Sequence, residues 1–362
     1  MKKKNHCLIV IFLLLLSFAE VNAQVYKYSN EFLSLGIGAR AYGMGNSVVS
    51  SVDDVNSVFW NPAGLTEIND NIQLAFMHNE QFAGIAKHDF GAVSYRLDTN
   101  GVIGLSLIRY GIDDIPNTLN LFQNGVADYS RVVSFSAVDY AIVGSYARKI
   151  NLWDGIAVGG NVKIIRRVVG DFANAWGFGF DIGAKYVYKK WNLGAVIKDA
   201  TSTFNAWQYT LSESDKQIFT VTNNQLPSNN LELTLPKLIV GTSRRFNVYK
   251  EYFYVRPEIN ADFTFDGKRN ALLGSAFTSF DPRIGVEVDY KNFVFLRGGI
   301  HQFQQIKRLS GENDYTMVNT IGIGLKLSNL VVDYALADPG STSSTLPYSN
   351  IISLRVNVNR KD

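Results

Sequence analysis

Apolar and charged side chains alternate with a period of two along residues 253–263. One face of this segment carries Phe253, Val255, Ile259, Ala261 and Phe263, and the other carries Arg256, Glu258, Asn260 and Asp262. Successive side chains of a β-strand point to opposite faces, so this pattern predicts a strand with one apolar and one charged surface. In a soluble sandwich the apolar face packs on a second sheet. In a membrane barrel it meets lipid, and Arg256, Glu258 and Asp262 line the lumen.

The same alternation recurs along most of the chain after residue 70, and helices do not produce a period of two this often. The predicted strands are 71–80, 86–96, 101–110, 133–148, 155–169, 175–188, 191–198, 236–246, 251–264, 283–290, 293–302, 319–328, 330–336 and 350–358. Their even number is what an up-and-down barrel with both ends in the periplasm requires. We therefore predict an all-β fold, a 14-stranded antiparallel transmembrane β-barrel.

The lengths of the predicted connections follow the parity of the strands. Connections after even-numbered strands are short, namely 97–100, 149–154, 189–190, 247–250, 291–292 and 329. Connections after odd-numbered strands are mostly long, namely 111–132, 199–235, 265–282, 303–318 and 337–349, with 81–85 and 170–174 as short exceptions. Outer-membrane barrels have tight periplasmic turns and longer external loops. A soluble sandwich gives no reason for such sorting.

The first 23 residues have the form of a secretory signal peptide. Three lysines follow Met1, an apolar stretch runs from Leu8 to Phe18, and Val21 and Ala23 precede a cleavage site before Gln24. The alternative is a membrane anchor, but the apolar stretch is shorter than the roughly 20 residues of a spanning helix. We predict a cleaved signal peptide at 1–23, a plug segment at 24–70, a barrel at 71–362, and location in the outer membrane.

Composition excludes several classes of function. Residues 1–23 hold three lysines, one glutamate and the only cysteine, so the remaining chain keeps 32 of 35 basic and 31 of 32 acidic residues. This near balance gives no surface for nucleic acid or another polyanion. Without cysteine, the exported chain has no disulfide, thiol nucleophile or thiolate metal ligand. The expected surroundings of the barrel are the lipid bilayer and its protein partners.

Residues 24–70 do not alternate and instead combine glycines with short helical fragments. Irregular backbone at membrane depth is tolerated only where protein or water surrounds it. A plug inside the barrel satisfies that condition. The charged lumen rows would then pair with the plug backbone and with Arg40, Asp53 and Asp54.

The run GARAYGMGNSVVSSVDDVNSVFWNPAGL, residues 38–65, resembles the N-terminal signature of PorV/PorQ-family outer-membrane proteins. More distantly, its NPAG motif is similar to the plug of the long-chain fatty-acid transporter family, FadL. The PorV/PorQ resemblance implies a component of the type IX secretion system of Bacteroidota, a barrel that receives secreted cargo through the cargo's C-terminal signal domain. The expected partners are secreted cargo and other secretion-system proteins.

The FadL resemblance leaves a second hypothesis open, an outer-membrane transporter of a hydrophobic small molecule. A third is a purely structural subunit of an envelope complex. The charge of the visible lumen rows argues modestly against a greasy channel. Deletion phenotypes in secretion or in uptake would separate these hypotheses.

The motif residues favour structural roles over catalysis. Asp53 and Asp54 are adjacent, and neighbours in sequence rarely act on one substrate bond, so capping or ion pairing within the plug is the better interpretation. Asn61 before Pro62 favours a turn. The histidines show no metal-ligand spacing, and no nucleophile elbow is present. We expect no enzyme activity, no metal and no cofactor.

The aromatic residues of the predicted loop 199–235 are candidates for partner binding. Phe204, Trp207, Tyr209 and Phe219 lie there among polar residues. Exposed aromatic side chains in polar loops often anchor protein interfaces. The alternatives are an external lid and the aromatic girdle at the membrane surface.

Overall fold

A computed structural model describes residues 24–25, 29–123, 125–151, 154–307, 311–337 and 349–359. The predicted signal peptide lies outside these residues. The fourteen barrel strands are β1 Ile72–Gln81, β2 Ala86–Arg96, β3 Gly101–Asn117, β4 Val133–Lys149, β5 Ile156–Val169, β6 Ala173–Tyr188, β7 Trp191–Lys198 continued by Thr203–Tyr209, β8 Asn230–Thr234 continued by Lys237–Arg244 and Phe246–Tyr249, β9 Phe253–Thr264, β10 Ser279–Tyr290, β11 Val294–Lys307, β12 Asn313–Leu327, β13 Leu330–Ala337 and β14 Ser349–Val358.

Each strand pairs antiparallel with its neighbours in sequence, and β14 returns to pair with β1 from Ile72↔Val358 to Glu80↔Asn350. The predicted 14-stranded antiparallel barrel is therefore confirmed. Closure leaves no free edge at membrane depth, as hydrocarbon requires of a sheet. The outward rows are apolar and exposed, as Leu296 and Ile321 illustrate, whereas Arg297 on the inner face is 7% exposed.

Several strands continue beyond their predicted ends. The β3 strand reaches Asn117 rather than 110, β10 begins at Ser279 rather than 283, and β12 begins at Asn313 rather than 319. These extensions lie at the ends joined by the long connections, which is the external side. A strand outside the bilayer needs no apolar outer face, so the alternation stops before the hydrogen-bond ladder does.

The remaining elements are short. The helices are α1 Ala39–Gly43, α2 Ser57–Trp60 and α3 Glu213–Val221, and 3₁₀ turns occupy Glu31–Leu33, Pro62–Glu67 and Tyr129–Arg131. Short strand segments are Gln24–Val25, Phe122–Gln123, Val126–Ala127 and Leu273–Gly274. No helix in the described part of the chain is long and apolar enough to cross a membrane.

Residues 29–68 fill the lumen and supply about half of the buried apolar core. Ile37, Met44, Val49, Val55 and Leu65 have no measurable exposure. Helix α1 packs on β11 to β14, and the 3₁₀ turn Pro62–Glu67 packs on β3 to β6. The plug thus contacts both sides of the barrel, and hydrophobic burial lies inside the wall rather than between two sheets.

Inward-facing glycines let the plug backbone approach the wall. A Cβ on Gly299 would lie 2.1 Å from the backbone nitrogen of Gly45, and a Cβ on Gly285 would lie 2.4 Å from the carbonyl oxygen of Met44. Glycine is required here because the neighbouring atoms belong to the backbone and cannot rotate away.

The substitution Gly299→Ala should therefore destabilise the protein. We expect a loss of about 1–3 kcal/mol in the free energy of unfolding, as is typical of an overpacked interior. Urea unfolding of the barrel in lipid vesicles, followed by tryptophan fluorescence, measures this loss. Gly298→Ala is the matched control, because a Cβ on Gly298 meets nothing within 4 Å. Equal losses in the two variants would contradict the proposed contact.

Candidate functional site

An ion-pair network on the inner face joins the plug to the wall. Glu287 of β10 accepts from Arg40 Nε at 3.1 Å and from Arg297 Nε at 2.8 Å. Arg40 also donates to Asp53 at 3.1 Å, and Arg297 donates to Asp333 at 2.7 Å. Apart from Asp53, whose side chain is 41% exposed, these groups are buried, so each cation keeps a partner in a region where an unpaired charge is costly.

Around this network the lumen opens into a periplasmic vestibule, defined by Arg40, Asp53, Glu67, Arg256 and Arg297 together with the neighbouring charged residues of the lower strand ends. Its volume is about 410 Å³. It lies at the end with the short connections. Its lining is strongly polar, with an arginine or lysine facing most of the carboxylates. Apolar molecules gain nothing by entering such a space.

The two plug aspartates contribute to this anchoring. Asp54 pairs with Arg355 of β14, and Asp53 pairs with Arg40 of α1. Each carboxylate thus forms an ion pair with a guanidinium. The two carboxylates do not face each other across a space for a substrate, as a catalytic pair would.

The three charged residues that were predicted to face the lumen have separate partners. Arg256 lies 3.9 Å from Asp53 and 3.8 Å from Glu287. Glu258 accepts the backbone N–H of Ser50 at 2.8 Å. Asp262 pairs with Lys237 at 2.7 Å and with Arg283. Two of these three residues therefore contact the plug, while Asp262 joins neighbouring strands.

Asn61 and Pro62 shape the lower part of the plug. The Asn61 amide donates to the carbonyl oxygens of Val49 and Ala184, both at 3.1 Å, and its own oxygen accepts from Ala63 N–H at 3.2 Å. Pro62 opens a 3₁₀ turn, where its missing N–H leaves no donor unsatisfied. Asn61 and Pro62 therefore fix a turn against β6.

A second, smaller space, the upper cavity, lies between the plug and the outer half of the wall. Its lining includes Leu33, Val58, Phe59, Trp60, Ile108, Val143, Lys163, Asp181, Lys198, Leu235, Lys237, Ile239, Phe265 and Arg283. Its volume is about 50 Å³. That space holds a few water molecules, whereas an apolar cavity that binds benzene has about 150 Å³. An aromatic ligand would therefore need one of the lining segments to move.

Lys198 distinguishes the upper cavity from a purely apolar pocket. Its ammonium lies 3.7 Å from the ring centre of Phe59 and 5.6 Å from that of Trp60. Within the described residues it has no hydrogen bond or ion pair, whereas nearby Lys163 pairs with Asp181 at 2.7 Å and with Asp199 at 2.5 Å. The face of an aromatic ring attracts a cation, but it leaves the N–H groups of the ammonium free to bind an anion.

The wall beside the upper cavity is discontinuous. Strand β7 is interrupted at residues 199–202, where Asp199 and Ser202 have positive φ values of 54° and 58°. Strand β8 is interrupted at Leu235 and Pro236, and proline cannot donate to the ladder. Two neighbouring strands, β7 and β8, are thus interrupted at the same level of the wall, directly beside Lys198.

Above that bend, β8 separates from β9. The last pair between them is Lys237↔Thr264. Among the described barrel strands, the segment Asn230–Thr234 pairs with β7 alone, along one of its edges. The other edge pairs in parallel with the chain's own Gln24–Val25. We call the gap between Asn230–Thr234 and residues 265–269 the wall opening.

The N-terminal segment closes the wall opening with a few polar contacts. Ser29 Oγ and Thr234 Oγ1 are 2.7 Å apart, and Asn30 donates to Thr234 at 2.7 Å. On the far side, Arg269 donates to Glu31 at 2.9 Å. Residues 29–31 thus bridge the two edges and form part of the upper cavity lining.

The aromatic residues predicted to bind partners do not form one patch. The loop 199–235 contains the upper strands of β7 and β8 and helix α3. Phe204 faces outward near Phe178, whereas Trp207 donates to Glu232 at 2.5 Å and stacks on Tyr209. Phe219 lies half-buried on α3. Their role in partner binding stays a prediction.

Sequence reasoning did not single out Lys198 or the wall opening. One signal was present: Pro236 stood at the start of a predicted strand, where a missing N–H favours an edge or a break. A lysine closing an apolar strand, as Lys198 does, was the other signal.

No family model matches this sequence, and no curated protein matches it. Solved structures do resemble it. The Pseudomonas putida toluene transporter TodX is 14% identical with a TM-score of 0.55, over 90% of this chain and 99% of TodX. The Ralstonia pickettii toluene transporter TbuX is 14% identical with a TM-score of 0.53, over 90% and 99%. A Pseudomonas aeruginosa FadL homologue is 12% identical with a TM-score of 0.52, over 88% and 97%. At these identities the likeness shows a shared barrel fold.

Glu287→Gln should loosen the plug. Removing one partner of a buried ion pair leaves Arg40 and Arg297 short of negative charge, and such a change costs about 3–5 kcal/mol. We expect lower stability in urea unfolding and a higher ion conductance in planar bilayers. The control Glu213→Gln removes an exposed pair with Lys216 on α3 and should change neither property. Unchanged conductance and stability in Glu287→Gln would contradict the anchoring role.

Proposed function

We propose that this chain forms an outer-membrane passage for a hydrophobic small molecule. The observation that carries the proposal is a cavity lined in part by Phe59, Trp60 and Phe265, beneath an opening in the wall that, among the described residues, the N-terminal segment closes. Ligand sites in proteins are commonly apolar clefts with a few placed polar groups. The upper cavity places aromatic and aliphatic side chains together in this way, but it also carries more charged groups than such a cleft, among them Lys163, Asp181 and Lys198. The neighbouring structures named as toluene transporters support the same reading.

Movement of the N-terminal segment is the simplest way to enlarge the upper cavity. At the wall opening, residues 29–31 make a few side-chain hydrogen bonds and one ion pair, each worth about 1 kcal/mol, and Gln24–Val25 adds a short parallel pairing with Asn230–Thr234. The rest of the plug is held by buried ion pairs and a continuous apolar core. Displacement of Gln24–Val25 and residues 29–31 therefore costs less than displacement of the whole plug.

Lys198 gives the proposed passage a preference among hydrophobic molecules. Its ammonium favours either the face of an aromatic ring or an acidic group on an apolar body. Purely aliphatic hydrocarbons would gain only the apolar part of the lining. The proposed substrate is accordingly aromatic or weakly acidic.

A disulfide across the wall opening tests this proposal. In Ser29→Cys/Thr234→Cys, sulfur atoms replace two hydroxyl oxygens that are 2.7 Å apart, so a bond should form. We expect the oxidised protein to lose uptake of radiolabelled toluene and benzoate in a strain lacking the wild-type gene. Dithiothreitol should restore uptake. Uptake that is equal before and after reduction, with the disulfide verified by mass spectrometry, would contradict the gate.

The second candidate function is a role in type IX secretion, favoured by the motif at residues 38–65. The upper β7 and β8 strands carry α3 beyond the barrel, where a large cargo could bind without entering the lumen. In this case the expected partners are secretion-system proteins and secreted cargo. We further propose that the chain is not an enzyme and that residues 1–23 are removed on export.

Deletion of residues 210–229 separates the two candidates, because it removes α3 and keeps both strands. Loss of secreted proteins from the cell surface, with uptake intact, would support the secretion role. Loss of uptake in the oxidised cysteine variant, with an unchanged surface proteome, would support transport. Comparative proteomics of intact cells provides the first measurement and the uptake assay the second.

A further inference from the structure

Three neighbouring periplasmic turns share one sequence pattern, an aromatic residue and a lysine followed within two residues by another aromatic. The turns are Tyr188-Lys189-Lys190-Trp191 between β6 and β7, Tyr249-Lys250-Glu251-Tyr252 between β8 and β9, and Tyr290-Lys291-Asn292-Phe293 between β10 and β11. The remaining periplasmic turns, such as 97–100 and 328–329, lack this pattern. The repeat is therefore confined to one side of the barrel.

The lysines occupy backbone conformations that lysine rarely adopts. Lys189, Lys250 and Lys291 have φ values of 55°, 41° and 53°. Glycine, asparagine and aspartate are the residues usually found in such turns. Lysine at three equivalent strained positions indicates that its charge matters more than an unstrained turn.

The three turns form one continuous surface. The Lys291 ammonium lies 4.6 Å from the ring centre of Tyr252. The backbone N–H of Lys291 donates to the backbone carbonyl of Tyr252 at 2.7 Å. Arg244 of β8 lies 5.1 Å from the Trp191 ring. These contacts join the first turn to β8 and the second turn to the third. We call this surface the basic rim: Lys189, Lys190, Arg244, Lys250 and Lys291.

The charges of the basic rim are not neutralised by the protein. In the described part of the chain none of its five cations has an ion pair, and Glu251 is the acidic residue within the three turns. The opposite side differs, because Arg148 pairs with Asp98 at 3.2 Å. The rim thus offers a net positive surface in a chain whose overall charge is close to balanced.

Aromatic side chains place the basic rim at the membrane surface. Tyr188, Trp191, Tyr249, Tyr252, Tyr290 and Phe293 are all more than a third exposed. Amphipathic rings of this kind lie at the level of the lipid headgroups. A lysine side chain just beyond such rings is long enough to reach the phosphate layer with its ammonium group.

We propose that the basic rim binds anionic phospholipid headgroups of the periplasmic leaflet. The rings would contact the glycerol and upper acyl region, and the ammonium groups would contact the phosphates. A basic residue near an anionic membrane surface strengthens binding about fivefold. Bound lipid would hold this side of the barrel, which includes the interrupted strands β7 and β8, at a fixed depth.

The test compares two double variants of the full-length protein. Lys250→Asn/Lys291→Asn removes two rim charges, and asparagine tolerates positive φ, so the turns should fold at least as well as in the wild type. Arg148→Asn/Lys149→Asn removes the same charge from the opposite side. Heat-dependent mobility on denaturing gels verifies the fold of each variant.

Each protein is extracted from vesicles of equimolar phosphatidylglycerol and phosphatidylethanolamine, and native mass spectrometry counts the retained lipids. We expect the wild type and the control to enrich phosphatidylglycerol, and the rim variant to lose that enrichment by roughly tenfold or more. Equal retention of the two lipids by the wild type would overturn the proposal. So would an unaltered enrichment in the folded rim variant.

Discussion

Every polar group of the backbone must find a partner where hydrocarbon surrounds the protein, and the architecture follows from that constraint. The β14–β1 ladder closes the sheet, so the wall satisfies its own backbone at membrane depth. Only inside such a wall can an irregular segment such as residues 29–68 exist. Closure also moves the hydrophobic core inward, where Ile37, Met44 and Leu65 are fully buried.

The interface between plug and wall combines close backbone packing with buried charges. Glycines such as Gly285 and Gly299 bring the plug backbone onto the wall. Glu287 pairs with three arginines, one from the plug and one each from β9 and β11. The glycines and the charges serve the same interface. Close approach excludes water, and the exclusion of water makes each unpaired charge more expensive.

How much of this could be predicted depends on what lipid demands of the sequence. Within the bilayer, alternation predicts the bounds of β2, 86–96, and of the first segment of β7, 191–198, as the structure has them, because contact with lipid favours an apolar residue at every second position. Outside it, residues 203–209 and 230–234 form strands without that constraint, so the sequence pattern predicts a loop there. Lys198 was missed because its partners, Phe59 and Trp60, are distant in sequence and meet it only through the fold.

The plug is held unequally at its two ends, and under the proposed transport function this asymmetry bears on the route of the substrate. Towards the periplasm, buried ion pairs surround a vestibule whose charges would have to lose hydration before an apolar molecule could pass. Towards the outside, a short segment with a few polar contacts separates the upper cavity from the wall opening. An apolar molecule in the upper cavity therefore meets a lower barrier sideways, beside β8, than downwards through the charged vestibule.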